Sequence, residues 1–233
     1  MNKSQMQNDI ESDEEIVKFL DQFLYPTLED EFYVKFERAN NLDDQHSGID
    51  LRCFYNENES FNIDEKTAAH YFKDDLSNPG LSTFALEVMY FKDDKAKDGW
   101  LFGNKYNSTD TYIFNWGWTE KGYNKKNKIH HDKIVKIESM HINKNTLKEY
   151  LQDRYQINKE NVLEVYESLK GNNNKGNRLQ ISNNSDLNAY FMLSNQYNEK
   201  PLNIIMPKKE LSYIANTHLC VYKDEPPRFI KTK

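Results

Sequence analysis

Two short apolar runs of this 233-residue chain carry charged side chains at a spacing that could do chemistry. Ser47-Gly48-Ile49-Asp50-Leu51-Arg52 holds an aspartate, and Asn62-Ile63-Asp64-Glu65-Lys66 holds two adjacent acids with a lysine close behind. The turn-forming Asn56-Glu57-Asn58-Glu59 lies between them, so a hairpin is expected. Side chains on a strand alternate faces. Ile49, Leu51, Cys53 and Tyr55 then share one face of the first strand, with Asp50 and Arg52 on the other. On the second strand Phe61, Ile63 and Glu65 share a face, opposite Asn62, Asp64 and Lys66. Pairing the runs sets Asp50 nearly across from Asp64, with Lys66 one step along. Opposed side chains sit about 5 Å apart at Cβ, near enough to share one hard cation. Two carboxylates holding Mg²⁺ (or Mn²⁺) leave positions for water and a phosphate oxygen. A neighbouring amine can orient that water or offset charge developing on the phosphorane. The chemistry expected of Asp50, Asp64 and Lys66 is therefore metal-assisted phosphodiester hydrolysis. The same alternation makes Asp64, not Glu65, the ligand, and a β-bulge would exchange them. An acid-x-Lys triplet means little where 29% of residues are charged. The flanking apolar runs and the hairpin register carry the reading.

This arrangement resembles the PD-(D/E)XK nuclease superfamily, the fold of restriction endonucleases and Holliday-junction resolvases. Asp50 matches the aspartate of the first motif, without the preceding proline, and Asp64 with Lys66 matches the (D/E)XK element. The resemblance covers roughly Asp13 to Trp118. It implies an α/β fold, a restriction-endonuclease-like mixed sheet flanked by helices, in one domain over 1–233 with additions after 118. It also implies a first helix able to supply one more acid, for which Glu15 is the candidate metal ligand beside Glu14 and Asp21. After the motif hairpin, the superfamily usually adds a helix and a further strand. The chain is also similar to a group of bacterial and prophage proteins that carry Gln-x-x-Gly-Ile-Asp, Asp-Glu-Lys-x-Ala, Thr-Phe-Ala-x-Glu and Gly-Trp. Here these are Gln45–Asp50, Asp64–Ala68, Thr83–Glu87 and Gly99-Trp100. The expected substrate is nucleic acid, DNA first. Two alternatives stand beside it: a nuclease-fold interaction protein, phage or defence related, that has lost turnover, and a regulator that binds nucleic acid without cutting it.

Further residues could serve such a site. Glu87 stands in an apolar strand, where a carboxylate is costly unless paired. Gln45 and Glu65 are candidates for contacts to water or substrate. Lys121, Lys125, Lys126 and Lys128 form a basic stripe able to hold phosphates. His130, His131 and His141 lack a zinc-ligand spacing, and no P-loop, dinucleotide fingerprint or Ser-His-Asp arrangement is present.

The elements that must position these groups follow from periodicity. Asp13 to Tyr25 reads as a helix ended by Pro26, with Ser12 and Glu15 as a capping box. Strands are expected over 32–38, 49–55, 60–66, 82–91, 98–102, 111–116, 133–142 and 202–206, and helices over 67–72, 145–155 and 158–169, with a short one after Pro207. Residues 171–177 read as a low-complexity loop. The net charge of −6 opposes indiscriminate nucleic-acid binding. Cys53 and Cys220 have no ligand spacing and read as buried thiols. No apolar run approaches a membrane span and the first residues lack a signal-peptide core, so a cytoplasmic chain is expected.

Overall fold

The structure, a computed structural model, describes residues 3–92, 95–123, 128–170, 178–181, 189–194 and 199–232. The chain opens on one helical run: α1 (Lys3–Phe19), a π-helical segment (Leu20–Leu24) and α2 (Tyr25–Phe32). Pro26 does not end it. The proline sits in the first turn of α2, where its missing N–H matters little, and the wider π turn absorbs the change. Ser12 and Glu15 lie mid-helix rather than at its start.

Next come β1 (Lys35–Arg38), a short α3 (Leu42–His46), β2 (Leu51–Asn56) and β3 (Glu59–Thr67). The helix expected over 67–72 is only a 3₁₀ turn, Ala69–Tyr71. β4 (Thr83–Lys92) and β5 (Lys95–Asp98) pair as a hairpin, and residues 99–102, expected as strand, form the turn beyond it. β6 (Thr111–Thr119), β7 (Ile134–Asn143), α4 (Lys144–Tyr155) and α5 (Lys159–Lys170) follow. The last described elements are β8 (Arg178–Gln180), β9 (Tyr190–Leu193), β10 (Leu202–Pro207), α6 (Lys208–Ile214), β11 (Thr217–Tyr222) and β12 (Arg228–Thr232). The loop read over 171–177 lies outside the described residues.

The result is a mixed α/β structure with two sheets. A seven-stranded sheet runs β1-β2-β3-β6-β7-β11-β12, all antiparallel except the β3–β6 pair. A five-stranded antiparallel sheet runs β5-β4-β10-β9-β8. β6 explains the layering. Tyr112, Phe114, Trp116 and Trp118 point to a core shared with Phe84, Leu86 and Val88 of β4 and Leu147 and Leu151 of α4. Ile113 points the other way, into a second core with Ile16, Leu20 and Leu28 of the opening helices and Leu51, Cys53 and Ile63. A strand covered on both faces reads as a nearly unbroken apolar run, which β6 does. Cys53 and Cys220 are free and buried. No helix among the described residues is long and apolar enough to cross a membrane.

Candidate active site

β2 and β3 pair with Leu51 opposite Ile63 and Cys53 opposite Phe61, the register that brings Asp50 level with Asp64. Asp50 stands just before β2. Its N–H donates to the Ile63 carbonyl (2.8 Å), and its Oδ2 accepts from the Glu65 N–H (2.7 Å). The side chain is thus fixed to the backbone of the facing strand. Ile63 packs with the opening helices, so Asp64 and Lys66 point to the opposite side of the sheet.

Asp64 is only 1% exposed. One carboxylate oxygen, Oδ1, is paired with Lys66 Nζ, while Oδ2 is shielded from solvent and has no hydrogen-bond partner. Burial pushes the carboxyl up to about 7, the Lys66 charge opposes this, and the nearby Asp50 raises it further. Gly48 shapes the wall beside it. At φ +73° a side chain there is disfavoured, and an added Cβ would lie 2.7 Å from the Tyr106 ring and 3.3 Å from Asp64 Oδ2. Thr109 Oγ1 donates to the Gly48 carbonyl (2.8 Å) and holds that loop in place.

Lys66 Nζ also lies 5.5 Å from the centre of the Trp100 ring. Glu87, on β4, is within reach of the Lys66 charge. Its carboxyl is pushed up to about 6, by burial first and then by Glu199. Lys144 approaches Asp64 from the start of α4. It is 4% exposed, donates to the Tyr106 carbonyl, and is pushed down to about 8, chiefly by burial.

Other residues singled out in the sequence lie elsewhere. Glu15 does not join the two aspartates. It accepts from the His131 N–H (3.0 Å), contacts His131 Nδ1 at 2.7 Å and pairs with Lys18 at 2.6 Å. Ser12 Oγ accepts from the Ile129 N–H (3.0 Å), so the supposed capping box clamps α1 to residues 129–131. Glu65 faces the helices and bonds Tyr25 and Arg38, and Arg38 in turn pairs with Asp21 (2.6 Å). Lys128 is paired with Glu11 at 3.3 Å, and Lys121 is exposed on a turn. Lys125, Lys126 and the side chain of Gln45 lie outside the described residues. His130 and His131 are not on a strand; a 3₁₀ turn begins at His131.

Lys144 was missed, although a signal for it existed. Asn143 caps α4 by accepting from the N–H groups of Asn145 (2.9 Å) and Thr146 (3.2 Å), so Lys144 opens the helix. A cation at a helix N-terminus works against the helix dipole, which asks for another reason to hold it there. The expected start at Asn145 hid this.

A buried carboxylate oxygen without a partner, with a second carboxylate converging on it, fits a hard divalent cation. Asp50 and Asp64 would hold it. Among the described residues no group of three or more His, Cys, Asp or Glu side chains is set to hold a metal, so water and substrate oxygens would complete the shell. No protein-family model, curated protein or solved structure matches the chain.

Proposed function

We propose that this protein is a metal-dependent nuclease that hydrolyses phosphodiester bonds, DNA first, on a restriction-endonuclease-like fold. One observation carries the reading: Asp50 and Asp64 converge across an antiparallel pair, with Lys66 on Asp64 and an unpartnered Asp64 oxygen beside it. The order of elements also supports it. A helix precedes three antiparallel strands, the aspartate opens the second, the Asp-x-Lys triplet sits on the third, and a later strand joins the third in parallel. Two features depart from the family pattern: no proline precedes Asp50, and a 3₁₀ turn and the β4–β5 hairpin stand where a helix is expected after the triplet.

A Mg²⁺ or Mn²⁺ ion would polarise the phosphate and lower the pKa of a bound water. The chain's own residues do the rest. Asp50 is oriented by the Glu65 N–H, Lys66 is set to meet negative charge on the phosphate, and buried walls keep Asp64 from bulk water. The test is incubation of purified protein with linear, circular and single-stranded DNA and with RNA, in Mg²⁺, Mn²⁺ or EDTA. Cleavage that needs metal and disappears in Asp50→Asn and Lys66→Ala is the expected result. Metal-independent cleavage, or full activity in both variants, would remove the assignment.

A second reading, a nuclease-fold interaction protein without turnover, is favoured by one feature. Asp64 is almost closed off and paired internally, as in a site used for structure. Absence of cleavage on all four substrates, with intact folding, would favour it.

A further inference from the structure

Lys66 and Thr67, at the end of β3, form a ridge between two clefts. On one side a cleft of about 460 Å³ holds Asp50 and Glu65. On the other a groove of about 500 Å³ runs along the second sheet, walled by Tyr71, Trp100, Arg178 and Tyr190. Acids outnumber bases 37 to 31 in the chain, yet among the described residues no carboxylate lines this groove. Its charged members are Lys66 and Arg178. Tyr71 is 56% exposed and offers a ring to solvent, and Arg178 lies 4.9 Å from the centre of the Tyr190 ring.

Resting on the nuclease reading, we propose that this groove takes an unpaired base of the substrate, so that the scissile phosphate beside Lys66 is presented from a single-stranded segment. Ring faces on the walls suit stacking, which works with any base because every base has a π face. A lining with two cations and no carboxylate suits a phosphodiester backbone, although Lys66 is itself paired with Asp64 behind the groove. The volume lies in the range of about 300–1,000 Å³ that encloses small molecules, enough for a base and its sugar but not for stacked base pairs. A backbone crossing the ridge would leave its base in the aromatic groove and its phosphate at Lys66, with Asp50 on the far side. Stacking on ring faces does not read base edges, so sequence preference is weak.

The experiment uses the whole chain in EDTA and fluorescein-labelled oligonucleotides: oligo-dT, oligo-U, a blunt duplex, and the same duplex with a single-stranded tail. Single-stranded and tailed probes should bind at least tenfold more tightly than the blunt duplex. Tyr71→Ala should weaken single-strand binding roughly five- to 150-fold. Tyr71→Phe should restore it, since only the ring face is used, and Tyr190→Ala should weaken it independently. Equal affinity for blunt and single-stranded probes, or unchanged binding in both alanine variants, overturns the inference. Failure of the two readings is separable. Metal-dependent cutting of blunt duplex that is indifferent to Tyr71 leaves the nuclease and removes the groove's role. Tyr71-dependent single-strand binding with no cleavage in any metal leaves the groove and removes the nuclease. A groove that binds an apolar peptide but none of the oligonucleotides also overturns it.

Discussion

At the scale of single residues, Asp64 is held under opposing demands. Its burial disfavours charge, Lys66 favours it, and Oδ2 is left without a partner. Its folded pKa lies above its unfolded value. The resulting stabilisation is therefore complete below the ordinary value of 3.8 and is lost as pH rises through about 7. Metal-free protein should lose thermal stability across that window, and added Mg²⁺ should reverse the loss by binding the folded state. Asp64→Asn should melt higher than wild type at pH 8 in EDTA, because the amide carries no charge for burial to penalise. The gain should shrink towards pH 4, and a gain independent of pH would contradict the assigned cause. The pair Asp50 and Asp64 was legible because two-residue periodicity and a short turn specify a register by themselves. Lys144 was missed because the helix start was read at Asn145, and Trp100 was singled out only as part of Gly99-Trp100; their approach to the site depends on packing between segments far apart in sequence.

Among the elements, the opening helix shows how a local signal can be outvoted. Ser-x-x-Glu before an apolar run is a start signal in isolation. Here the helix begins earlier, at Lys3, which frees Ser12 and Glu15 to bond the backbone of Ile129 and His131. Pro26 misleads in the same way, since it stands in the first turn of α2, just after the π turn, and the helical run continues through it. Glu15 separates the two roles assigned to it. The His131 N–H, then Lys18 and the His131 side chain, hold its carboxyl well below the usual range. A depressed folded pKa contributes stability above the unfolded value of 4.5 that is lost as pH falls below it. Glu15→Gln should lower stability at pH 7 by roughly 1.5–3 kcal/mol, nearer the lower end because Lys18 is exposed. The deficit should fade below pH 4.5, and metal affinity measured by calorimetry should not change. Weakened metal binding would return Glu15 to the site.

Across the whole molecule, the segment that carries the nuclease resemblance, roughly 13–118, cannot close its own cores. β4 lies within it, but pairs along most of its length with β10, which arrives at Leu202. β6 pairs with β7, and β7 with β11, so each central strand waits for a later one. Leu202, Ile204 and Met206 fill the core between the sheets, and Leu219 and Val221 fill the core beneath the helices. Sequence alone hid this, because β8, β9, β11 and β12 were not expected and the second sheet is assembled from distant pieces. A chain cut after residue 170 would expose the inner faces of β4 and β7 together with their unpaired edges, and such edges aggregate. It should therefore lack a cooperative melting transition, bind hydrophobic dyes and be digested quickly by protease. Adding residues 171–233 as a separate chain should restore protection, if the missing strands are all that is lacking. A sharp transition in the 1–170 fragment alone would show that the fragment is an independent folding unit and that the second sheet is an appendage to it.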